Sequence, residues 1–397
     1  MLKFFFYLCL ILLSLGQLTT ISKTGESSIY LFDLAVLIFS VLGVTIIPII
    51  YKELYMPKYL VLFLLFSFLA LSSLIFNMSG LNGYELLVSF FYLLRWVSYL
   101  LSGIIIFNML KHKIINKDQL VISLVASGVF IALAGFIQLA LLPDFEMLNP
   151  ASGWDPHKNR LASTFFDPNF TGVYLVVILL VLFEFKDSVF HNRGVLLYSA
   201  SIIISAALFL TFSRSSWGMA AVVILIYGLF KYKMLLLMAL LVGFLAYFAV
   251  PRVQTRLSGT TDPADSAQFR LVSWSNTVKI AEDNMLLGVG FNAYRYAQNK
   301  YGFLTPDTLE THSGAGSDSS LLFVLATTGI PGFIVFIAAF MFPVLDSYIN
   351  NKSTKWLIPV LVAGLMMHSM FVNSLFYPQV MFMWLTLFSL TSYLSHT

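Results

Sequence analysis

The sequence predicts an all-α, polytopic membrane protein with about 12 transmembrane helices and one large extracytoplasmic loop containing short helices. Three observations carry this expectation. The 397 residues are 59% hydrophobic and only 11% charged, with a mean hydropathy of +0.86. Soluble domains carry about 25% charged residues, so this much apolar surface needs the bilayer as its solvent. Apolar runs long enough to cross the hydrocarbon core, about 18 residues or more, recur along the chain. Lys and Arg alternate between the connections in the pattern that orients membrane proteins.

In order, the runs cover 4–20, 29–50, 59–76, 84–109, 119–142, 170–185, 195–212, 215–230, 234–250, 320–345, 356–373 and 376–395. Lys3 precedes the first run as it would in a signal peptide, but "SLGQLTT" offers a poor cleavage site, so this run reads as a retained helix. With the N-terminus inside, the cytoplasmic loops collect Lys52 and Lys58; Lys111, Lys113 and Lys117; Lys186 and Arg193; Lys231 and Lys233; Lys352 and Lys355. The short outer loops then hold little beyond Lys23 and Arg214. Both termini fall in the cytoplasm, and the two longer segments, 143–169 and 251–319, fall outside. No repeat of 20–50 residues divides the chain, which reads as one integral membrane domain, 1–397. The net charge of +4 and the lack of a Lys/Arg-rich run exclude a nucleic-acid partner. The lone Cys9, in an apolar run, carries no redox information.

Four polar stretches interrupt the hydrophobic text. "NRLASTFFDPNFTGVYL" holds Arg160, Asp167 and Asn169; Asp167 before Pro168 reads as an ordinary helix cap. "LTFSRSSWGMAAVV" places Arg214 among Ser213, Ser215 and Ser216 with almost no loop, on the side that the positive-inside rule disfavours. It can snorkel to the interface or form a phosphate-binding corner, because a guanidinium fork matches phosphate oxygens. From Pro251 the outer segment carries Arg252, Arg256, Arg270, Lys279, Arg295 and Lys300, and an interfacial helix is expected at about 266–282, with Arg270, Trp274 and Thr277/Val278 near one face. These cations also suit a basic cap on membrane lipids. In "LLGVGFNAY", Gly288 and Gly290 allow a tight turn, and with no strand before it a dinucleotide fold is excluded. Last, "THSGAGSDSSLLFVLATTGIPG" brings Glu310, His312 and Asp318 to the mouth of the tenth run, where Ser317 or Asp318 could simply cap a helix. There is no HExxH, CxxC, GxSxG or P-loop pattern, so no metal or nucleotide cofactor is expected.

Arg160 with "FFDPNFTGVYL", "LTFSRSSWGMA", Arg270 in "FRLVSW", "LLGVGFNAY" and "DSSLLFVLATTGIPG", in this order over about 155–335, resemble the O-antigen ligase/polymerase superfamily of polytopic glycosyltransferases. The resemblance implies glycan transfer from an undecaprenyl-diphosphate carrier at the outer face of the cytoplasmic membrane. The acceptor would be a lipid A core, another carrier-linked glycan or a protein hydroxyl. It further implies that arginines, not a metal, hold the diphosphate, with Arg160, Arg214, Arg270, Asn169 and Glu310 as substrate-binding residues, and that a histidine near the end of the large loop is the base.

One departure bears on the base. Many members open the tenth-span motif with His-Asn, where this chain has Asp318 and Ser319, with His312 six residues earlier. Asp318, His312 and Arg214 are therefore the candidate catalytic residues. Breaking the glycosidic bond builds negative charge on the diphosphate, which preorganised arginines stabilise, while a base takes the acceptor proton; a single displacement inverts the anomeric centre. Two other classes compete: a transporter or flippase of polyprenyl-linked glycans, and a non-catalytic envelope glycan-binding protein. A transporter should carry charges within its spans. Arg95 is the one clear mid-span charge, with Glu184 near a span end.

Overall fold

The computed structural model describes residues 1–24, 27–147, 157–259, 266–304, 316–350 and 354–395. It is 78% helical, an all-α polytopic membrane fold. Each apolar run forms a helix. The first nine are α1 (Leu2–Leu15), α2 (Leu31–Tyr51), α3 (Leu60–Asn77), α4 (Gly83–Lys111), α5 (Lys117–Leu141), α6 (Pro168–Glu184), α7 (Gly194–Leu210), α8 (Arg214–Phe230) and α9 (Lys233–Ala249). Three more polar helices follow, α10 (Pro251–Ser258), α11 (Ser266–Asp283) and α12 (Tyr294–Lys300). The last three apolar helices are α13 (Ser320–Asn350), α14 (Leu357–Ser369) and α15 (Pro378–Leu394). A two-stranded antiparallel hairpin, Thr20–Thr24 with Ser27–Tyr30, joins α1 to α2.

Among the described residues, six helices are long and apolar enough to cross a membrane: α1 and α3 with their 3-10 extensions, α2, α4, α5 and α13. A seventh is reached if α9 and α10, bent by 97°, count as one span. The remaining runs make shorter helices, 17 residues for α6, α7, α8 and α15 and 13 for α14. At 1.5 Å per residue these reach roughly 26 and 20 Å. Polar turns cut them short, and those turns gather at one end of the bundle. Asp167 and Pro168 start α6: the Asp167 carboxylate accepts from the backbone N–H of Asn169 (2.6 Å) and Phe170 (3.2 Å). Ser213 caps α8 by accepting from Ser216 N–H at 3.3 Å.

Helix α15 is the centre of the core, with every side chain from Pro378 to Ser392 buried. Trp384 and Phe388 pack against Phe63 of α3 and Phe340 of α13. Helix α9 is the opposite case: none of its residues is buried, as suits an apolar helix at a lipid-facing periphery. The "LLGVGFNAY" stretch is a crossing point. Helix α13 breaks at Gly329 (φ 68), and the loop fills the break: Val289 N–H donates to Ala326 O at 2.9 Å and Ile330 N–H to Met285 O at 2.8 Å. A Cβ on Gly288 (φ +65) would lie 2.4 Å from the Thr327 backbone, so only glycine fits there.

Arg95 is not an isolated mid-span charge. It pairs with Asp33, in the first turn of α2, at 2.6 Å, and Tyr99 donates to the other carboxylate oxygen at 2.9 Å. Asp33 escaped the sequence reading because it looks like a helix-start carboxylate at the edge of an apolar run.

Candidate active site

Because successive helices run antiparallel, the starts of α6, α8, α13 and α15 and the ends of α7, α9 and α14 meet at one end. Arg160, in the segment before α6, donates from Nε to Thr211 O at 2.9 Å. Its Nη2 is buried without a hydrogen-bond partner, and no carboxylate forms an ion pair with it among the described residues. Burial pushes its pKa down to about 9, and the charges of Arg256, Arg252 and Arg270 add to the shift while Asp167 opposes it. Arg160 is still a cation at neutral pH, crowded by its own kind.

The α7–α8 turn is only Thr211–Ser213, and Phe212 closes it at φ 46, a left-handed conformation that costs a bulky residue. The turn leaves two carbonyls for guanidinium groups: Thr211 O takes Arg160, and Phe212 O takes Arg256 Nε at 3.2 Å. Arg256 and Arg252 arrive on α10, swung over the turn by the 97° bend after α9. The Arg252 guanidinium lies over the Phe212 ring, 4.3 Å from its centroid, and donates to the carbonyls of Lys158 and Asn159. Arg214 Nη1 reaches Arg256 O at 3.3 Å. Arg160, Arg214 and Arg270, which the sequence singled out separately, thus share one neighbourhood with Arg252 and Arg256.

Beneath the arginines lies a knot of hydroxyls around Asn169. Ser213 Oγ donates to Asn169 Oδ1 at 2.7 Å, with Ser215 Oγ 3.1 Å from Ser213 Oγ. Ser216 Oγ is 3.1 Å from Asn169 O and 3.5 Å from Nε2 of His368, a fully buried histidine of α14.

Asp318 belongs to the facing wall. Its N–H donates to Ser273 Oγ of α11 at 3.2 Å, one helical turn from Arg270. Tyr294 of α12 faces it: burial pushes the phenol up to about 12, and the Asp318 carboxylate adds to that rise. One expectation is corrected here. The side-chain cap on α13 is Ser319, accepting from Leu322 N–H at 3.3 Å, whereas Ser317 hydrogen-bonds with Thr277 at 3.0 Å. Asp318 is exposed, in the turn before the helix. Glu310 and His312 lie outside the described residues. Among the described residues, no three His, Cys, Asp or Glu side chains come together in a group that could hold a metal ion.

The sequence reading passed over Arg252, Arg256 and His368. The two arginines looked like an interfacial cap because nothing in the text announces the bend at Pro251. His368 looked like one polar letter in an apolar run.

This geometry coincides with a family match. Residues 199–337 match the O-antigen ligase family. The matched segment runs from α7 through the α7–α8 turn, all of α10 to α12 and the first part of α13. It contains Arg214, Arg252, Arg256, Arg270 and Asp318, and it supports the O-antigen ligase/polymerase superfamily that the ordered motifs resemble. No curated relative matches the chain. The family supports O-antigen ligase-type glycan transfer in a multi-pass membrane protein. Arg160, Asn169 and His368 lie outside the matched residues, yet each touches or electrostatically faces the matched segment.

Proposed function

We propose that the chain transfers a glycan from an undecaprenyl-diphosphate-type carrier to an acceptor hydroxyl on the outer face of the cytoplasmic membrane, with inversion. The observation that carries this reading is Arg160: a half-buried arginine whose Nη2 is buried without a partner, faced by Arg252, Arg256 and Arg270. Like charges so gathered fit a ligand with more than one negative charge, and a diphosphate offers oxygens at the spacing of several forks. In the reaction, the bond from the anomeric carbon to the diphosphate oxygen breaks, and the polyprenyl diphosphate leaves with the electron pair. The acceptor oxygen forms the new bond to that carbon, and its proton passes to a base. Arg160, Arg214 and Arg270 stabilise the leaving charge, Asn169 and Glu310 bind donor, and Asp318 or His312 is the base. The resemblance puts arginines in the place of a metal. In this reading both termini are cytoplasmic, and the loops 143–169 and 251–319 lie outside the membrane.

A transporter would carry charges along a path within its spans, whereas Arg95 is paired with Asp33, and Tyr99 donates to the same carboxylate. The test is transfer of radiolabelled glycan from a synthetic polyprenyl-diphosphate donor by the purified protein, without nucleotide or added metal. Turnover of the lipid carrier to free polyprenyl diphosphate is expected; donor flipping in proteoliposomes without transfer would overturn the proposal.

A further inference from the structure

Helices α6, α8 and α14 meet where their residues are small. A Cβ on Gly172 would fall 2.2 Å from Ser216 Oγ, and one on Gly218 would fall 2.1 Å from Met367. This close approach carries His368, fully buried, to the base of the arginine cluster. Its Nδ1 is 3.0 Å from Ser374 Oγ in the α14–α15 connection, and its Nε2 is 3.5 Å from Ser216 Oγ. The charged groups that face it are Asp167 at the start of α6 and Arg270 on α11.

Counting protons gives this contact a direction. A serine hydroxyl has one proton, and a neutral imidazole has one N–H and one acceptor nitrogen. Ser216 Oγ is within reach of three acceptors: Asn169 O at 3.1 Å, Ser213 Oγ at 3.0 Å and His368 Nε2. If His368 carries its proton on Nε2, it donates to Ser216, which frees the Ser216 proton for Asn169 O. Ser374 then donates to Nδ1. Ser213 donates to Asn169 Oδ1 at 2.7 Å. All links are satisfied in one direction, from Ser374 through His368 and Ser216 to the backbone carbonyl of Asn169. With Oδ1 engaged, the two amide N–H donors of Asn169 turn the other way. The same turn begins α8, whose first residue is Arg214.

We propose that His368 is a positioning residue. Through this one-way chain it fixes the Asn169 backbone carbonyl and the Ser213–Ser216 turn, whose Ser213 holds the Asn169 side-chain oxygen, so that Asn169 N–H groups and the Arg214 guanidinium are presented together to the donor's diphosphate. The proposal rests on the diphosphate reading above. It touches no substrate atom itself.

Two measurements test it. In protein labelled with nitrogen-15 histidine, the resonance lost in His368→Gln is assigned to His368. The neutral tautomer with the proton on Nε2 is expected, and Ser374→Ala should perturb it. The opposite tautomer overturns the chain whatever the ligand is, so this arm is independent of the diphosphate reading. The second arm is steady-state transfer with a synthetic polyprenyl-diphosphate donor. Gln places an N–H donor near the Nε2 position, while Asn and Leu cannot reach Ser216. Donor KM should rise about tenfold in His368→Asn and His368→Leu, the loss of one buried hydrogen bond. It should rise only about threefold in His368→Gln, with kcat little changed in all three. Equal losses in Gln, Asn and Leu would show that His368 only fills space and would overturn the proposal, as would wild-type KM in Asn and Leu. Should the His368 variants not accumulate in the membrane, Ser374→Ala, which leaves the ring in place, is expected to raise donor KM about threefold, and an unchanged KM there overturns the proposal. If the wild-type protein binds no polyprenyl diphosphate, the functional reading fails and the tautomer still decides the chain.

Discussion

Arg95 is buried and Arg160 is half-buried with its Nη2 closed off from water, and the two regions treat them differently. Arg95, in the α2–α4 region, meets a carboxylate at 2.6 Å, with Tyr99 on the same carboxylate, the Ser28 carbonyl at 2.6 Å and the rings of Phe91 and Tyr92 around it. Its charge is answered by a carboxylate within the protein, although its Nε, like Nη2 of Arg160, is buried without a partner. Arg160, at the mouth of α6 to α8, has one carbonyl partner, one nitrogen without a partner and three guanidinium groups facing it. Burying an ion is tolerated only when it is paired and hydrogen-bonded. The first arginine is therefore a staple between helices. The second has Asp167 nearby but no ion pair among the described residues, and under the proposed function a diphosphate from outside answers it.

The comparison breaks first at Arg95. Arg95→Met leaves the Asp33 carboxylate buried and unpaired, which costs about 3–5 kcal/mol. The variant should be largely absent from the folded membrane fraction, as measured by detergent-extracted yield and thermal unfolding. Removing both charges, Arg95→Met with Asp33→Leu, should recover most of the yield and full transfer. Next is Arg160→Met, which should lower transfer about 100-fold, the scale of a lost charged hydrogen bond, while thermal stability in the absence of donor stays level or rises. Arg214→Ala and Arg270→Ala should each abolish transfer with normal yield. Lysine at either position should rescue poorly, since a point charge lacks the fork. Near wild-type transfer by Arg214→Lys would show that charge alone, or snorkelling, matters there.

The smallest effect is on pH. The folded pKa of Arg160 is depressed to about 9, below its usual 12.5. A base whose folded pKa is depressed binds fewer protons in the folded state, so its cost is full below about 9 and is relieved as the pH rises through that value. Between pH 7.5 and 9.5 the melting temperature of the wild type should rise relative to Arg160→Met, and saturating donor should remove the difference. A difference that widens in the opposite sense would place Arg160 in a paired environment.

Much of this was legible in the text. Spans are read from hydropathy because the bilayer forces helices on any apolar run of that length, and each expected run is a helix. Arginines 160, 214 and 270 stood out because a cation beside apolar runs needs a reason. What joins them is set by tertiary geometry: the 97° bend that brings Arg252 and Arg256 over the α7–α8 turn, and the turn at left-handed Phe212, whose carbonyls take Arg160 and Arg256. Neither has a letter-level signature, since phenylalanine is an unusual choice for φ > 0. His368 was hidden for a different reason. A single histidine in "LMMHSM" looks the same whether it packs or positions, and only the close approach at Gly172 and Gly218 shows that it reaches Ser216. Motif alignment pointed to Asp318 for the base role, and its exposure removes the burial that would have tuned a carboxylate for it.

The most direct test is equilibrium binding of farnesyl diphosphate to the purified wild type, to Arg160→Met and to the Arg95→Met/Asp33→Leu double variant. Equal affinity is expected for the wild type and the double variant, with a loss of about 100-fold in Arg160→Met. Wild-type affinity in Arg160→Met would contradict the claim that this guanidinium is held open for a diphosphate.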